Sequence, residues 1–179
     1  MKTILSILCL SVTLASAEFI GGLGYISYSE DVDDLGDVNL GLIYASVGFD
    51  FSGRGSDWAL IPEVRFGTGF DDDSVDNVPI LGGVASDLIE DFDFSVDSYL
   101  SFLLNVRYSW RWGYLQANVN YTSIDAEGEA NNISVESNDG AFGVGVAFGL
   151  GLTRSLDLQI HGESFADAFT AGAGFRYKF

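Results

Sequence analysis

From Phe169 to Phe179 the chain alternates without a break. Phe169, Ala171, Ala173, Phe175, Tyr177 and Phe179 share one parity; Thr170, Gly172, Gly174, Arg176 and Lys178 share the other. A period of two puts the two sets on opposite faces of an extended strand. Five more segments repeat the pattern. Leu156, Leu158 and Ile160 alternate with Asp157, Gln159 and His161, and Phe142 to Leu152 alternates with Gly143, Gly145, Ala147, Gly149 and Gly151. Leu115 to Tyr121 alternates with Gln116, Asn118 and Asn120, and Leu100 to Trp110 with Ser101, Leu103, Asn105, Arg107 and Ser109. Trp58, Leu60, Val64 and Phe66 alternate with Ala59, Ile61, Glu63, Arg65 and Gly67. In all six the apolar face is free of charge. A soluble sandwich also alternates, but its polar face is solvated. Here the polar face is Gly, Asn, Ser, Arg and a few acids, which suits a narrow polar interior behind an apolar, lipid-facing wall.

Two earlier segments are weaker. Phe19 to Ser29 is Gly-rich, with Leu23 and Tyr25 on one parity. In Val38 to Phe51 the apolar residues run Leu40, Leu42, Tyr44 and then Val47, Phe49, Phe51, which predicts a bulge near Ala45. The expected fold is all-β, an eight-stranded antiparallel up-and-down transmembrane barrel with strands of about 9 to 11 residues. Ten strands are the alternative, with an added hairpin around Asn77 to Ser86; its poor alternation and Pro79 favour eight.

The length of 179 residues allows one domain. With 47% apolar residues and 14% aromatic residues the chain can fold despite its net charge of -18. The sign of that charge argues against nucleic acid as a partner. Past the N-terminus no apolar run reaches the roughly 18 to 20 residues of a membrane-spanning helix. Lys2, the apolar stretch Ile4 to Leu14 and Ala15-Ser16-Ala17 read as a signal peptide over residues 1–17, cleaved before Glu18, leaving residues 18–179 as the barrel. The single Cys9 falls inside the leader, so the exported part has no disulfide and no thiolate metal ligand.

The connections predict an orientation. Glu30–Asp37, Asp71–Ser95, Ser123–Asp139 and Ser164–Ala168 are long; those around Ser52–Asp57, Arg111 and Thr153–Arg154 are short. Short turns face the periplasm and long loops the exterior in barrels of this kind. The long connections hold nineteen of the 26 acids and none of the 8 Lys and Arg. Trp58, Trp110 and Trp112 flank short turns, as an interfacial girdle does. Asp71, Asp72, Asp73 and Asp76 make the densest acidic stretch, suited to loose contacts with cationic partners or divalent ions.

On the polar parity Glu63, Arg65, Arg107, Asp157, His161, Arg176 and Lys178 are expected to form an interior charge network, with Asp97 and Glu163 as further acids and His161 hydrogen-bonded to one of them. The inward glycines leave room that Arg, Gln and Tyr side chains fill, or else a thin water path remains. No catalytic, cofactor or metal site is expected. His161-Gly162-Glu163-Ser164 contains a base, an acid and a nucleophile, but parity turns Ser164 away from the other two. Asp31 to Gly36 begins like a calcium loop, yet Leu35 and Leu42 occupy ligand positions.

Taken together, the leader, the eight alternating segments and the terminal pattern Phe175, Tyr177, Phe179 resemble the small outer-membrane β-barrel family, which includes the OmpA transmembrane domain, OmpX and Ail-type proteins and short porin-family proteins. The resemblance covers residues 18–179. It implies the outer membrane of a Gram-negative bacterium, with lipid and lipopolysaccharide around the barrel. It also implies that Phe175, Tyr177 and Phe179 are read by the barrel-assembly machinery. The expected role is structural or surface-interacting, through the acidic loops; a narrow channel for small solutes or ions is the alternative. Without the periplasmic domain of full-length OmpA, a wall-tethering role is not expected. The His–Ser spacing of lipid A deacylases is not matched either.

Overall fold

The computed structural model describes residues 17–32, 36–53, 55–71, 73–78, 89–130, 133–165 and 168–179. Nine strand segments follow in chain order: β1 (Glu18–Val32), β2 (Gly36–Ser52), β3 (Trp58–Asp71), β4 (Asp73–Val78), β5 (Ile89–Trp110), β6 (Gly113–Ala130), β7 (Ile133–Gly151), β8 (Leu156–Phe165) and β9 (Ala168–Lys178). Apart from β3 and β4, each pairs antiparallel with the next, β9 returns to β1, and β3 pairs with β5 to close the sheet. Segments β3 and β4 both run along β5, parted only at residue 72, and together make one barrel strand. The architecture is therefore a closed eight-stranded antiparallel barrel.

Closure gives every wall strand two neighbours and satisfies its backbone internally, which an open sheet in lipid could not do. Strict alternation then sorts the side chains. Leu23, Phe66, Phe102, Val119, Val144, Ile160 and Phe175 are exposed on the outside, while Arg65, Asn105, Gln116, Glu163 and Thr170 are buried within. The outer face is dominated by apolar side chains, the kind that lie against acyl chains.

Segments β8 and β9 keep the expected length at 10 and 11 residues, while the other barrel strands run longer, up to 22 in β5, because the long connections are largely strand. Segments β4 and β5 pair from Asp73↔Phe94 to Val78↔Ile89, and β6 and β7 pair out to Ala130↔Ile133. Most of Asp71–Ser95 and Ser123–Asp139 thus extends the barrel wall outward as ladders, and no further pair of strands joins the ring among the described residues. The short connections stay tight. Trp110↔Gly113 leaves two residues in the β5–β6 turn. Between β2 and β3, Gly55 has φ 74°, a left-handed backbone that favours glycine.

The predicted bulge near Ala45 is absent. The β1–β2 register runs unbroken from Glu18↔Asp50 to Val32↔Gly36, and the β2 ladder shifts instead against β3, between Gly41 and Leu42. The break in apolar parity has another cause. Leu40, Leu42 and Tyr44 point inward and pack with Ile26, Val96 and Tyr99 into an apolar layer inside the long-loop end of the barrel. A second shift lies between Val96 and Ser98, leaving Asp97 unpaired in the β5–β6 ladder and turned outward. Asp97 is therefore not one of the interior acids.

Candidate functional site

The lumen is layered along its axis. At the short-turn end Ile20, Ala59 and Ile61 form a small apolar cluster. Above it lie the charges, and above those the Tyr44–Tyr99 apolar layer. Strands β3, β5, β6, β8 and β9 all supply side chains to the charged layer, because each has its polar parity inside.

The structure divides the expected network into three groups. In the central group Arg65 Nε donates to Glu63 Oε1 at 3.1 Å and Arg65 Nη1 to Glu163 Oε1 at 2.7 Å. Arg176 pairs with the other oxygen of Glu63 through Nη2 and donates from Nη1 to Gln116 Oε1 at 2.8 Å. Gln116 in turn donates to Asn105 Oδ1 at 2.6 Å, and Asn105 donates to the Ile61 carbonyl at 2.9 Å. On the other flank Asn120 links Asn118 and Glu163. Arg107 stands apart and pairs with Asp50 at 2.5 Å. Lys178 pairs with Asp157 at 2.9 Å near the short-turn rim. Four cations thus meet four anions, and the interior set is electrically neutral. An unpaired buried charge would cost several kcal/mol, roughly 3–5 when one partner is removed.

His161 joins none of these groups. Among the described residues neither ring nitrogen has a hydrogen-bond partner, and the ring meets Tyr44 edge-on at 5.7 Å between centroids. The expected bond to an acid is not made: Glu163 faces Arg65 and Asn120 instead. Ser164 is exposed on the outer wall while His161 and Glu163 are buried inside, so the three do not form a catalytic set. Among the described residues no cluster of three or more His, Cys, Asp or Glu could hold a metal.

The glycines of the lumen are sockets for large side chains. A Cβ on Gly149 would run into the Tyr114 ring, and one on Gly172 would lie 2.6 Å from His161 Nε2. Tyr114 also stacks over Arg107, and Tyr44 over Arg65, with guanidinium-to-centroid distances of 5.4 and 5.2 Å. At these positions the small residues and the bulky ones are therefore complementary halves of one packing.

Asp50, Gln116 and Asn105 complete the interior groups without having been singled out in the sequence. Position 50 alternates with Phe49 and Phe51, which was the available signal for Asp50. Phe175, Tyr177 and Phe179 line the outer face of β9, where Phe179 packs on Phe19 at 5.2 Å and on Tyr177 at 4.9 Å. Ala17 directly precedes β1, and Ala15 lies outside the described residues. Asp72 and the side chains of Asp71, Asp73 and Asp76 also lie outside them, as do residues 33–35 of the calcium-like stretch.

No protein-family model and no curated protein sequence matches the chain. Solved structures do. The chain is similar to Ail, the attachment invasion locus protein of Yersinia pestis, with TM-score 0.61 and 14% identity over 91% of this chain and 99% of that one. It is similar to a major outer membrane protein from Thermus thermophilus, with TM-score 0.55 and 14% identity over 92% of this chain and 100% of that one. Neisserial surface protein A aligns with TM-score 0.51 and 12% identity over 91% and 97% of the two chains. The fold is that of small outer-membrane β-barrels.

Proposed function

We propose that the chain is an outer-membrane barrel with a sealed lumen, which presents its acidic outer hairpins to cationic partners. The observation that carries this reading is the division of charge. The described interior charges pair off to zero, so the net charge of -18 belongs to residues outside that set. The long connections hold nineteen acids and no base. Backbone register sets four acid positions opposite acids: Asp31↔Asp37, Asp76↔Asp91, Asp93↔Glu129 and Glu127↔Glu136. Like charges directly opposite destabilise a ladder, and a bound cation relieves that repulsion. Barrel insertion by the assembly machinery, with Phe175, Tyr177 and Phe179 as its signal, and contact with lipopolysaccharide belong to the same reading.

The test is binding of an oligolysine peptide to the refolded protein at low and at high ionic strength. Binding that weakens steeply with salt supports the reading, since charges beyond a Debye length of about 10 Å at 0.1 M salt are screened. Salt-independent or undetectable binding contradicts it. The second reading, a narrow channel for small solutes, draws on the polar lumen atoms without partners among the described residues, such as Thr170 Oγ1 and both His161 nitrogens. Ion conductance separates the two.

A further inference from the structure

Two grooves lie on the outer wall among the described residues. The larger, about 570 Å³, crosses the wall beside Gly48 and Pro62, where its lining is apolar apart from the inward-buried Glu63 and Asn120, and nothing marks an occupant. The smaller, about 390 Å³, is different. Its walls are Phe19, Leu23, Leu156, Phe175, Tyr177 and Phe179, and Gly21 on the outward parity of β1 leaves its floor without a side chain. From Phe19 to Leu23 it follows β1 for roughly 13 Å at the usual rise of a strand.

The turn that carries Arg154 leads into Leu156, one wall of this groove. The turn between β7 and β8 precedes Leu156 and is tied down on several sides. Leu152 N and Thr153 N donate to the Leu156 carbonyl at 2.9 and 3.0 Å, and Thr153 Oγ1 accepts from Ser155 N and Leu156 N at 3.2 and 3.0 Å. Lys178 N donates to the Ser155 carbonyl at 2.8 Å, which fastens the turn to the end of β9, and Phe179 N donates to the Phe19 carbonyl at 3.0 Å. Arg154 sits on this fixed turn, exposed, with no ion-pair partner among the described residues. The neighbouring Lys178 is already paired with the buried Asp157. Glu18 is the exposed acid on the β1 side.

We infer that this groove and Arg154 form a binding site for one glycerophospholipid, with part of an acyl chain on Gly21 and the phosphate at Arg154. The groove supplies apolar walls, the turn supplies an unpaired guanidinium at the membrane–water boundary, and a phosphate is the anion that an arginine takes by two parallel hydrogen bonds. Tyr177 is an amphipathic ring of the type found at that level. The site lies at the short-turn end, away from the acidic hairpins, so an anionic phosphate meets no concentration of acids there. The inference rests on the outer-membrane reading, since the groove needs a bilayer around it.

The experiment is native mass spectrometry of the refolded protein released from detergent micelles doped with phosphatidylethanolamine, phosphatidylglycerol or diacylglycerol. A single retained adduct of either phospholipid, and none of diacylglycerol, is expected. Arg154→Gln should weaken both phospholipid adducts about tenfold, the loss of one hydrogen bond to a charged group. Gly21→Leu should abolish them by filling the floor, while Arg111→Gln, in the adjacent short turn, should leave them unchanged. Equal retention of diacylglycerol, equal loss with Arg111→Gln, or a dimer in place of the lipid adduct would overturn the site. Arg154 is exposed in a turn, so its variant reports even if Gly21→Leu does not fold. A heat-modifiable gel band with no lipid retention refutes the site alone; loss of that band from the unsubstituted protein refutes the membrane reading beneath it.

Discussion

Inside the barrel Arg65, Arg107, Arg176 and Lys178 each lie within ion-pair distance of Glu63, Glu163, Asp50 or Asp157. At the outer end the long connections carry nineteen acids and no base. The physical setting explains the contrast. In the buried layer an isolated charge loses its water without compensation, so charges enter in pairs. At an exposed position water and salt screen an acid, so an imbalance there costs little. The wall and the paired lumen therefore carry the fold, and the outer hairpins can hold a net charge at little cost to it.

Substitutions that unbalance the lumen should have the largest effect. Glu63 faces both Arg65 and Arg176, and Glu63→Leu leaves two guanidinium groups without one of their acceptors. A loss of roughly 3–5 kcal/mol is expected, seen as a lower denaturant midpoint for the refolded protein. A smaller loss is expected for Arg107→Leu, which leaves Asp50 alone. If both midpoints match the unsubstituted protein, these side chains do not interact in the way the distances imply.

Packing comes next. Gly149→Ala places a methyl group against the Tyr114 ring, and overpacking of this kind costs about 1–3 kcal/mol. Pairing it with Tyr114→Phe, which keeps the ring, should not rescue it; Tyr114→Leu should rescue part. Full rescue by phenylalanine would show that the Tyr114 hydroxyl, and not the ring, fills the space.

The outer end should respond least in stability and most in binding. Asp71→Asn, Asp72→Asn, Asp73→Asn and Asp76→Asn together should change stability by no more than about 0.5 kcal/mol per site, as surface changes usually do. The folded gel band should remain, while oligolysine binding at low salt falls. Loss of the folded band would move this stretch from the surface to the fold.

Much of this division was legible in the sequence. The six strongly alternating segments became wall strands because lipid enforces a strict outer parity, and a one-residue slip would turn charges into the bilayer. Segment β2 misled the parity reading because Leu40, Leu42 and Tyr44 are apolar and yet inward; apolar character marks the lipid face only where the lumen layer behind it is polar. The charged residues of the lumen could be named from parity, but their partners could not. Arg65 and Glu163 lie 98 positions apart, and Arg176 and Glu63 lie 113 apart, so which pairs form depends on strand tilt and stagger around the closed ring. The extent of the outer ladders was hidden too, because Asp, Asn, Gly and Ser read as loop and are held here by cross-strand pairing.

Planar-bilayer recording of the refolded, unsubstituted protein puts the sealed, neutral lumen to its most direct trial. A filled interior with every charge paired predicts no discrete conductance steps above the bare bilayer, and the same silence after the four acidic substitutions at the outer end. Steady unitary steps from the unsubstituted protein, with a current that depends on the sign of the permeant ion, would contradict it and establish a continuous path past Glu63, Arg65 and Arg176.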